Sequence, residues 1–233
     1  MRSIIYKGHK DMKMPVLLFV LGSLLVLNGC QTRSEEVLRY EENYEIIGPE
    51  KEDMVENISE TVYESIDRSN ANTKEVIINA IYNEGKDVSL PEGRYQITGQ
   101  LTGNVFIRDS EGKELFHALL APPPLGVDSI VVDVSNTHVV HVDGFQEVYI
   151  SPVPTLLLTE LSSGIWEVGK DIEEGKYKVT GNDLGYLQIF EKGKSPQVYE
   201  VFGGDGANTI DVVLKNGQKL IINGLLNINF EAK

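Results

Sequence analysis

A ten-residue stretch occurs twice, 82 positions apart, and it limits this chain to folds that accommodate two similar units in series. Leu90-Pro-Glu-Gly-Arg-Tyr-Gln-Ile-Thr-Gly99 aligns without a gap with Ile172-Glu-Glu-Gly-Lys-Tyr-Lys-Val-Thr-Gly181, and the same offset pairs Gly103 with Gly185 and Ile107 with Ile189. Just upstream an offset of 84 matches Tyr82, Gly85, Lys86 and Asp87 to Trp166, Gly169, Lys170 and Asp171. Downstream an offset of 80 pairs Ile130, Val132, Val134, Asn136 and Gly144 with Ile210, Val212, Leu214, Asn216 and Gly224. Small changes of offset between conserved stretches are what loops of unequal length produce.

Both copies alternate apolar and polar residues in the same phase. Tyr95 and Ile97 answer to Tyr177 and Val179, Val105 and Ile107 to Leu187 and Ile189, Val140 and Val142 to Leu220 and Ile222, and Val148 and Ile150 to Ile228 and Phe230. Period-two alternation marks half-buried strands, and a one-residue slip would turn every one of these side chains outward. The intervening Asp143-Gly144, Gly203-Gly-Asp-Gly206, Lys215-Asn-Gly217 and Asn223-Gly224 are turn signals, because Gly and Asn tolerate positive φ. Lys215-Asn216-Gly217-Gln218 between two alternating runs predicts a hairpin. Gly93 and Gly175, each ahead of a Lys/Arg-Tyr pair, are expected at positive φ.

The fold class that follows is mainly β: two tandem small antiparallel sandwich-like repeats, over 81–152 and 165–233, joined by a connector at 153–164. A unit of this size buries only about 60% of its unfolded surface and is marginal alone, so the copies should dock or share a sheet. Leu156-Leu157-Leu158 in the connector is expected to be buried between them.

The N-terminal part differs in kind. Lys7, Lys10 and Lys13 precede the apolar run Val16–Leu27, whose 12 residues fall short of the about 20 needed to span a bilayer. Residues 1–29 therefore read as a signal peptide. The closing Leu27-Asn28-Gly29-Cys30 resembles the lipobox of bacterial lipoproteins, with Asn28 departing from the usual small residue. That resemblance implies cleavage before Cys30, lipidation of its sulfur, and a cell-membrane location on the extracytoplasmic face. Residues 30–49 read as an acidic tether and 50–80 as a helical segment: Met54, Ile58, Val62 and Ile66 recur every four residues, predicting a helix from about Glu50 to Arg68. Asn72 with Glu75 suggests a second, shorter helix, favoured over the alternative that Val76–Ile81 is the first strand.

Without residues 1–29 the chain carries 17 bases against 34 acids. Such a surface repels phosphate backbones, which excludes nucleic acid as a natural partner. It also leaves membrane attachment to the lipid. Cys30 is the only cysteine, so no disulfide can form within the chain.

No motif names a reaction. There is no Gly-x-Ser-x-Gly elbow and no His-Glu-x-x-His. His138 and His141 fall three apart on a predicted strand and point to opposite faces, so they do not make a metal site, and no cofactor is implied. Gly203–Gly206 leads into a strand and is a turn, not a phosphate cradle. The duplicated Gly-Lys-Asp and Glu-Gly-(Arg/Lys)-Tyr pieces offer Asp87 with Glu92, and Asp171 with Glu174, as two equivalent ligand sites; the competing reading is that the same residues serve turns and core in both copies. The string Trp-x-Val-Gly-x-Asp-Ile-x-x-Gly-x-Tyr, written by Trp166–Tyr177, resembles a repeat of secreted bacterial lipoproteins of uncharacterised function. It implies a β-rich extracytoplasmic domain without a catalytic set.

Three function classes remain. The first is a membrane-anchored, non-catalytic binding module whose partner is an envelope protein or glycan. The second is an envelope hydrolase, whose signature would be a His-Asp/Glu set around His138 or His141 in one copy only. The third is a solute-binding component of a transporter.

Overall fold

The alternating runs become strands whose inward residues are the expected ones. In the computed structural model, which describes residues 33–69, 74–79 and 84–233, the first half contains β2 (Val76–Asn79), β3 (Lys86–Val88), β4 (Gly93–Gln100) and β5 (Gly103–Arg108). They are followed by β6 (Glu114–Leu120), β7 (Ser129–Val134), β8 (Val139–Asp143) and β9 (Glu147–Pro152). The second half contains β10 (Glu160–Leu161), β11 (Gly164–Glu167), β12 (Gly175–Gly181) and β13 (Gly185–Phe190). It ends with β14 (Gln197–Val201), β15 (Ile210–Leu214), β16 (Lys219–Asn223) and β17 (Ile228–Ala232). The signal peptide and Cys30 lie outside the described residues.

Two four-stranded sheets, β3-β8-β5-β6 and β10-β17-β12-β15, flank a nine-stranded sheet that starts from the short β1 (Glu45–Ile46) and runs β1-β14-β13-β16-β11-β7-β4-β9-β2. Counted within each half, the strand orders coincide: β2-β9-β4-β7 matches β10-β17-β12-β15, and β3-β8-β5-β6 matches β11-β16-β13-β14. The registers coincide too, with Tyr95 opposite Val132 and Tyr177 opposite Val212. Two apolar cores lie between the sheets, one around Tyr95, Val105 and Val142 and the other around Tyr177, Leu187 and Ile222, with Ile165, Phe190 and Ile221 of the second half reaching into the first. Residues Glu35–Lys233 form a single compact unit.

The halves join where β7 and β11 run parallel, Val131 opposite Gly164, with the Val131 N–H donating to the Ser163 carbonyl at 3.1 Å. Gly164 sits at φ +144°, and a Cβ there would come within 1.9 Å of the Val131 oxygen. Only glycine allows this approach.

Beside the seam four charges are buried together. Arg94 on β4 and its register mate Asp133 on β7 meet at 3.2 Å, and Arg94 Nη2 lies 3.3 Å from Asp171 of the second half. Arg68 reaches Asp133 at 2.6 Å and Asp171 at 2.8 Å from the segment ahead of the strands. The Arg94 guanidinium also stacks 4.5 Å over Trp166, and Asp171 Oδ2 accepts the Glu167 N–H at 2.8 Å. Burial lowers the Arg94 pKa, partly countered by Asp171 and Asp133. Burial pulls Arg68 down as well, but its bonds to the two carboxylates outweigh this and raise it. Both remain cations at neutral pH.

Several sequence expectations need correction. The helix expected over 50–68 is α2 (Pro49–Val55) only, followed by a 3₁₀ turn at Glu60–Tyr63. The helix stops at Val55 with Glu56 as its cap, and Ser59 then caps the separate 3₁₀ turn by accepting the Thr61 N–H at 3.2 Å. Val62 and Ile66 are buried as the spacing required, from non-α backbone. Val76–Asn79 is strand β2 and not a helix, because Ile78 packs in the first core and β9 supplies its hydrogen bonds. The tether assigned to 30–49 is folded from Glu35: α1 (Glu35–Asn43) and β1 (Glu45–Ile46) dock on the second half, β1 pairing with β14. The Lys215–Gln218 turn has Gly217 at φ +81°, yet joins strands of different sheets rather than a hairpin. Gly93 and Gly175 are absent from the positive-φ positions, which include Gly144 and Gly224, both at +80°. Leu156, Leu157 and Leu158 are exposed, while the connector is pinned by Leu158 N–H to the Asp171 carbonyl at 2.7 Å.

The two classes of glycine should separate experimentally. Gly164→Ala is expected to destabilise by about 3 kcal/mol, since a left-handed position and a backbone clash act together. Gly175→Ala, whose Cβ would meet the Tyr177 ring at an ordinary 3.4 Å, should stay within about 0.5 kcal/mol of the native protein. Urea unfolding of both variants checks the contrast.

Candidate functional site

The four residues proposed from the duplicated motifs go to four different places. Asp87 is on exposed β3, 2.6 Å from His141 Nδ1. Glu92 accepts the Asp67 N–H at 2.8 Å and the Asn136 side-chain amide at 3.4 Å, tying the N-terminal segment to a turn. Asp171 is consumed by the buried cluster, and Glu174 is exposed at the surface. Strand pairing also separates Asp87 from Asp171. Val88 lies opposite Val140 and Trp166 opposite Leu220, so Asp87 matches Ile165 by position, and not Asp171. The shared part of the motif is structural: Tyr95 Oη donates to the Pro91 carbonyl at 2.8 Å, and Tyr177 Oη to the Glu173 carbonyl at 2.9 Å. Among the described residues no group of three or more His, Cys, Asp or Glu could hold a metal ion.

A different constellation emerges on the outer face of the β3-β8-β5-β6 sheet. Asp87, His141, Phe106 and His117 are register mates on four adjacent strands and make one straight row. Strand alternation aims all four outward while Val105, Val140 and Val142 fill the core beneath. His117 stacks on Phe106 with ring centroids 4.1 Å apart and planes 9° apart, and Arg108 covers Phe106 at 4.8 Å. His141 lies 5.9 Å from Phe106, and its Nε2 is 3.7 Å from Asp143. Asn104 bridges Asp143 at 2.8 Å and His117 at 3.4 Å.

Two residues beyond His117 on β6, Leu119 lines a cleft of about 350 Å³ together with Pro123, Leu125, Leu184 and Asn223. Leu125 and Leu184 are 73% and 63% exposed, and Leu119, register mate of Asn104, belongs to both the face and the cleft. An apolar cluster of this kind on a strongly charged chain is where a partner gains burial. By position the row's counterpart in the second half is Ile165, Ile221, Gln188 and Val198. All four are buried, with Ile165 and Ile221 part of the first core. One face is therefore interior in one half and displayed in the other.

Sequence reasoning missed this row because its members lie far apart in the chain and only register aligns them. His141 and Asp87 were visible singly; the mismatch of His117, Phe106 and His141 with apolar or amide residues in the other half was the available signal. Compared with known proteins, the chain matches no family model, no curated protein and no solved structure.

His138 points the other way and is structural. It is buried, its Nδ1 accepts the Ser135 N–H at 3.1 Å, and its Nε2 lies 3.1 Å from Thr61 Oγ1 of the 3₁₀ turn. Accepting at Nδ1 leaves the proton on Nε2 to donate to Thr61. Burial lowers its pKa below the ordinary 6.5, against the opposing pull of Glu64, Asp109 and Glu92. A lowered folded pKa means that the contribution is present above 6.5 and is lost as pH falls through the folded value. The melting temperature should therefore start to fall below pH 6.5, ahead of the carboxylates, and His138→Gln should flatten that part of the profile.

A second comparison separates structural from surface acids. Asp171→Ala leaves two buried guanidiniums facing one carboxylate and should cost about 3–5 kcal/mol. Glu174→Ala should change stability by less than about 0.5 kcal/mol. Denaturant midpoints of the pair decide.

Proposed function

We propose that this chain is a lipid-anchored extracytoplasmic lipoprotein built from two copies of one β-unit, acting as a non-catalytic binding module of the cell envelope through the outer face of the first copy. The observation that carries the reading is the contrast between the displayed row Asp87–His141–Phe106–His117 and its buried counterpart. A position that one copy fills with core residues is filled in the other with aromatic, imidazole and carboxylate groups beside exposed leucines. The leucine-lined cleft favours a polypeptide segment of an envelope protein over a glycan, since apolar side chains fill such clefts with gain of burial.

The anchor rests on the basic start, the short apolar run and the Leu-Asn-Gly-Cys30 ending. With lipid on Cys30, the chain up to Glu35, where α1 begins, reaches at most about 18 Å when extended.

The hydrolase reading gains one specific observation, the pairing of His141 with Asp87 in one copy only. Against it, both ring nitrogens of His141 face carboxylates, Asp87 on Nδ1 and Asp143 on Nε2. A general base needs one nitrogen turned toward a nucleophile.

The test uses the full-length protein in its native membrane with three forms: wild type, Cys30→Ser, and Phe106→Ser/Leu125→Ser. Fatty-acid label and membrane retention should be lost only in Cys30→Ser. Cross-linked capture of one envelope protein should drop about tenfold or more in the double variant although its membrane retention matches wild type, a loss of at least about 1.4 kcal/mol of binding. Equal capture by wild type and double variant would defeat the binding-face assignment. Retained label in Cys30→Ser would defeat the anchor.

A further inference from the structure

The seam between the halves shows what a docking edge of this fold requires, and the two outer ends of the molecule carry the same edges. Taking the halves as copies of one unit, on which this inference rests, Val131 of β7 answers to Asp211 of β15. Gly164 of β11, opposite Ile222, answers to Lys86 of β3, opposite Val142. Both β15 and β3 are end strands of their four-stranded sheets. A second copy of this chain could therefore add its β3 to β15 as β11 adds to β7. Such a head-to-tail contact does not close on itself and would continue from copy to copy.

Each end is blocked at the residue that matters. The Asn43 side chain on α1 takes both backbone bonds of Asp211, accepting its N–H at 2.7 Å and donating to its carbonyl at 2.9 Å. A carboxamide carries an acceptor and a donor as a peptide group does, and the Asn43 oxygen stands at the Asp211 N–H where the Ser163 carbonyl stands at the Val131 N–H. The arm is held independently of that amide: Tyr44, at φ 56°, turns the chain from α1 into β1, packs edge-on against Tyr40 and Phe202, and accepts the Glu200 N–H at 3.0 Å. Tyr40 Oη bonds Glu200 as well. At the other end, Lys86 carries a side chain where the seam tolerates only glycine, and lysine is a common guard of sheet edges.

We propose that Asn43 and Lys86 are the two stops of this array: β15 is a plugged strand-addition site that fits the β3 edge of a second copy, and the N-terminal arm keeps the chain from assembling head to tail. The sheet edge is satisfied within the chain, which removes the liability of an open edge on a molecule carrying one such junction already.

The test compares the full chain with three variants: Lys86→Gly alone, an arm-release variant (Tyr40→Ala/Asn43→Asp/Tyr44→Ala), and the two combined. Amide exchange at Asp211 should rise in both arm-release forms, with circular dichroism unchanged. Only the combined variant should show a sedimentation mass rising with concentration to the dimer and beyond, with new exchange protection at residues 86–88. Unchanged exchange at Asp211 would show that the arm is no plug. An open edge with an unchanged mass in the combined variant would overturn the docking geometry. Equal assembly by the wild type would show that the two residues stop nothing. Assembly that protects another strand would overturn the pairing with β3 and, with it, the reading of the halves as equivalent copies; loss of partner capture by the binding face has no bearing on any of these outcomes.

Discussion

Two guanidiniums and two carboxylates buried together at the seam constrain more of this molecule than any apolar contact. Arg94 and Asp133 come from the first half, Asp171 from the second and Arg68 from the N-terminal segment, so the cluster needs three separate stretches of chain to be in place at once. A buried charge cluster adds little net stability over an apolar equivalent, but a partly assembled one is heavily penalised. That asymmetry makes it a register device. A one-residue slip of β7 would send Asp133 into the core occupied by Val132 and Val134, and leave both arginines short of a carboxylate. The same register brings Val131 to Gly164, so the polar cluster and the glycine approach specify one alignment of the halves from opposite kinds of physics.

The local physics of the strands was legible in the chain; what depends on partners was not. Alternation picked out Tyr95, Ile97, Val140, Val142 and their counterparts as core, and each is buried. The same-phase argument could not say which strands pair, so β15 and β16, joined by a good turn, were expected to form a hairpin, although they belong to different sheets. Periodicity of four over Met54–Ile66 identified buried Val62 and Ile66 correctly but not their backbone, because Ser59 offers its own hydroxyl to the next turn. Leu156–Leu158 look like core by composition and lie at the surface, because the connector is fixed by its backbone bond to Asp171. For the candidate site the sequence displayed Asp87 and His141 and matched Asp87 to Asp171, whereas strand pairing matches it to Ile165. No spacing rule reveals a row that crosses four strands.

In the two-copy reading, divergence between matched positions follows the environment and not the strand. Val131 and Gly164 stand inside the seam, while Asp211 and Lys86 stand at the ends. Ile165 and Ile221 are covered, while Asp87 and His141 are open to solvent. One pair runs the opposite way: Asp133 is buried, and Val213, in the matching place on β15, is 54% exposed. The exception has a cause. Asp133 is buried with Arg94 as its register mate, and the matching pair, Lys176 and Val213, lies at the surface with no seam to close. Charge at this position is tolerated in the interior because a second half supplies Asp171 and the N-terminal segment supplies Arg68. Where neither is supplied, the position reverts to an ordinary edge residue. The Asn43 oxygen stands at the Asp211 N–H where the Ser163 carbonyl stands at the Val131 N–H, so what distinguishes the outer edge from the inner one is the group that covers it and not the strand itself.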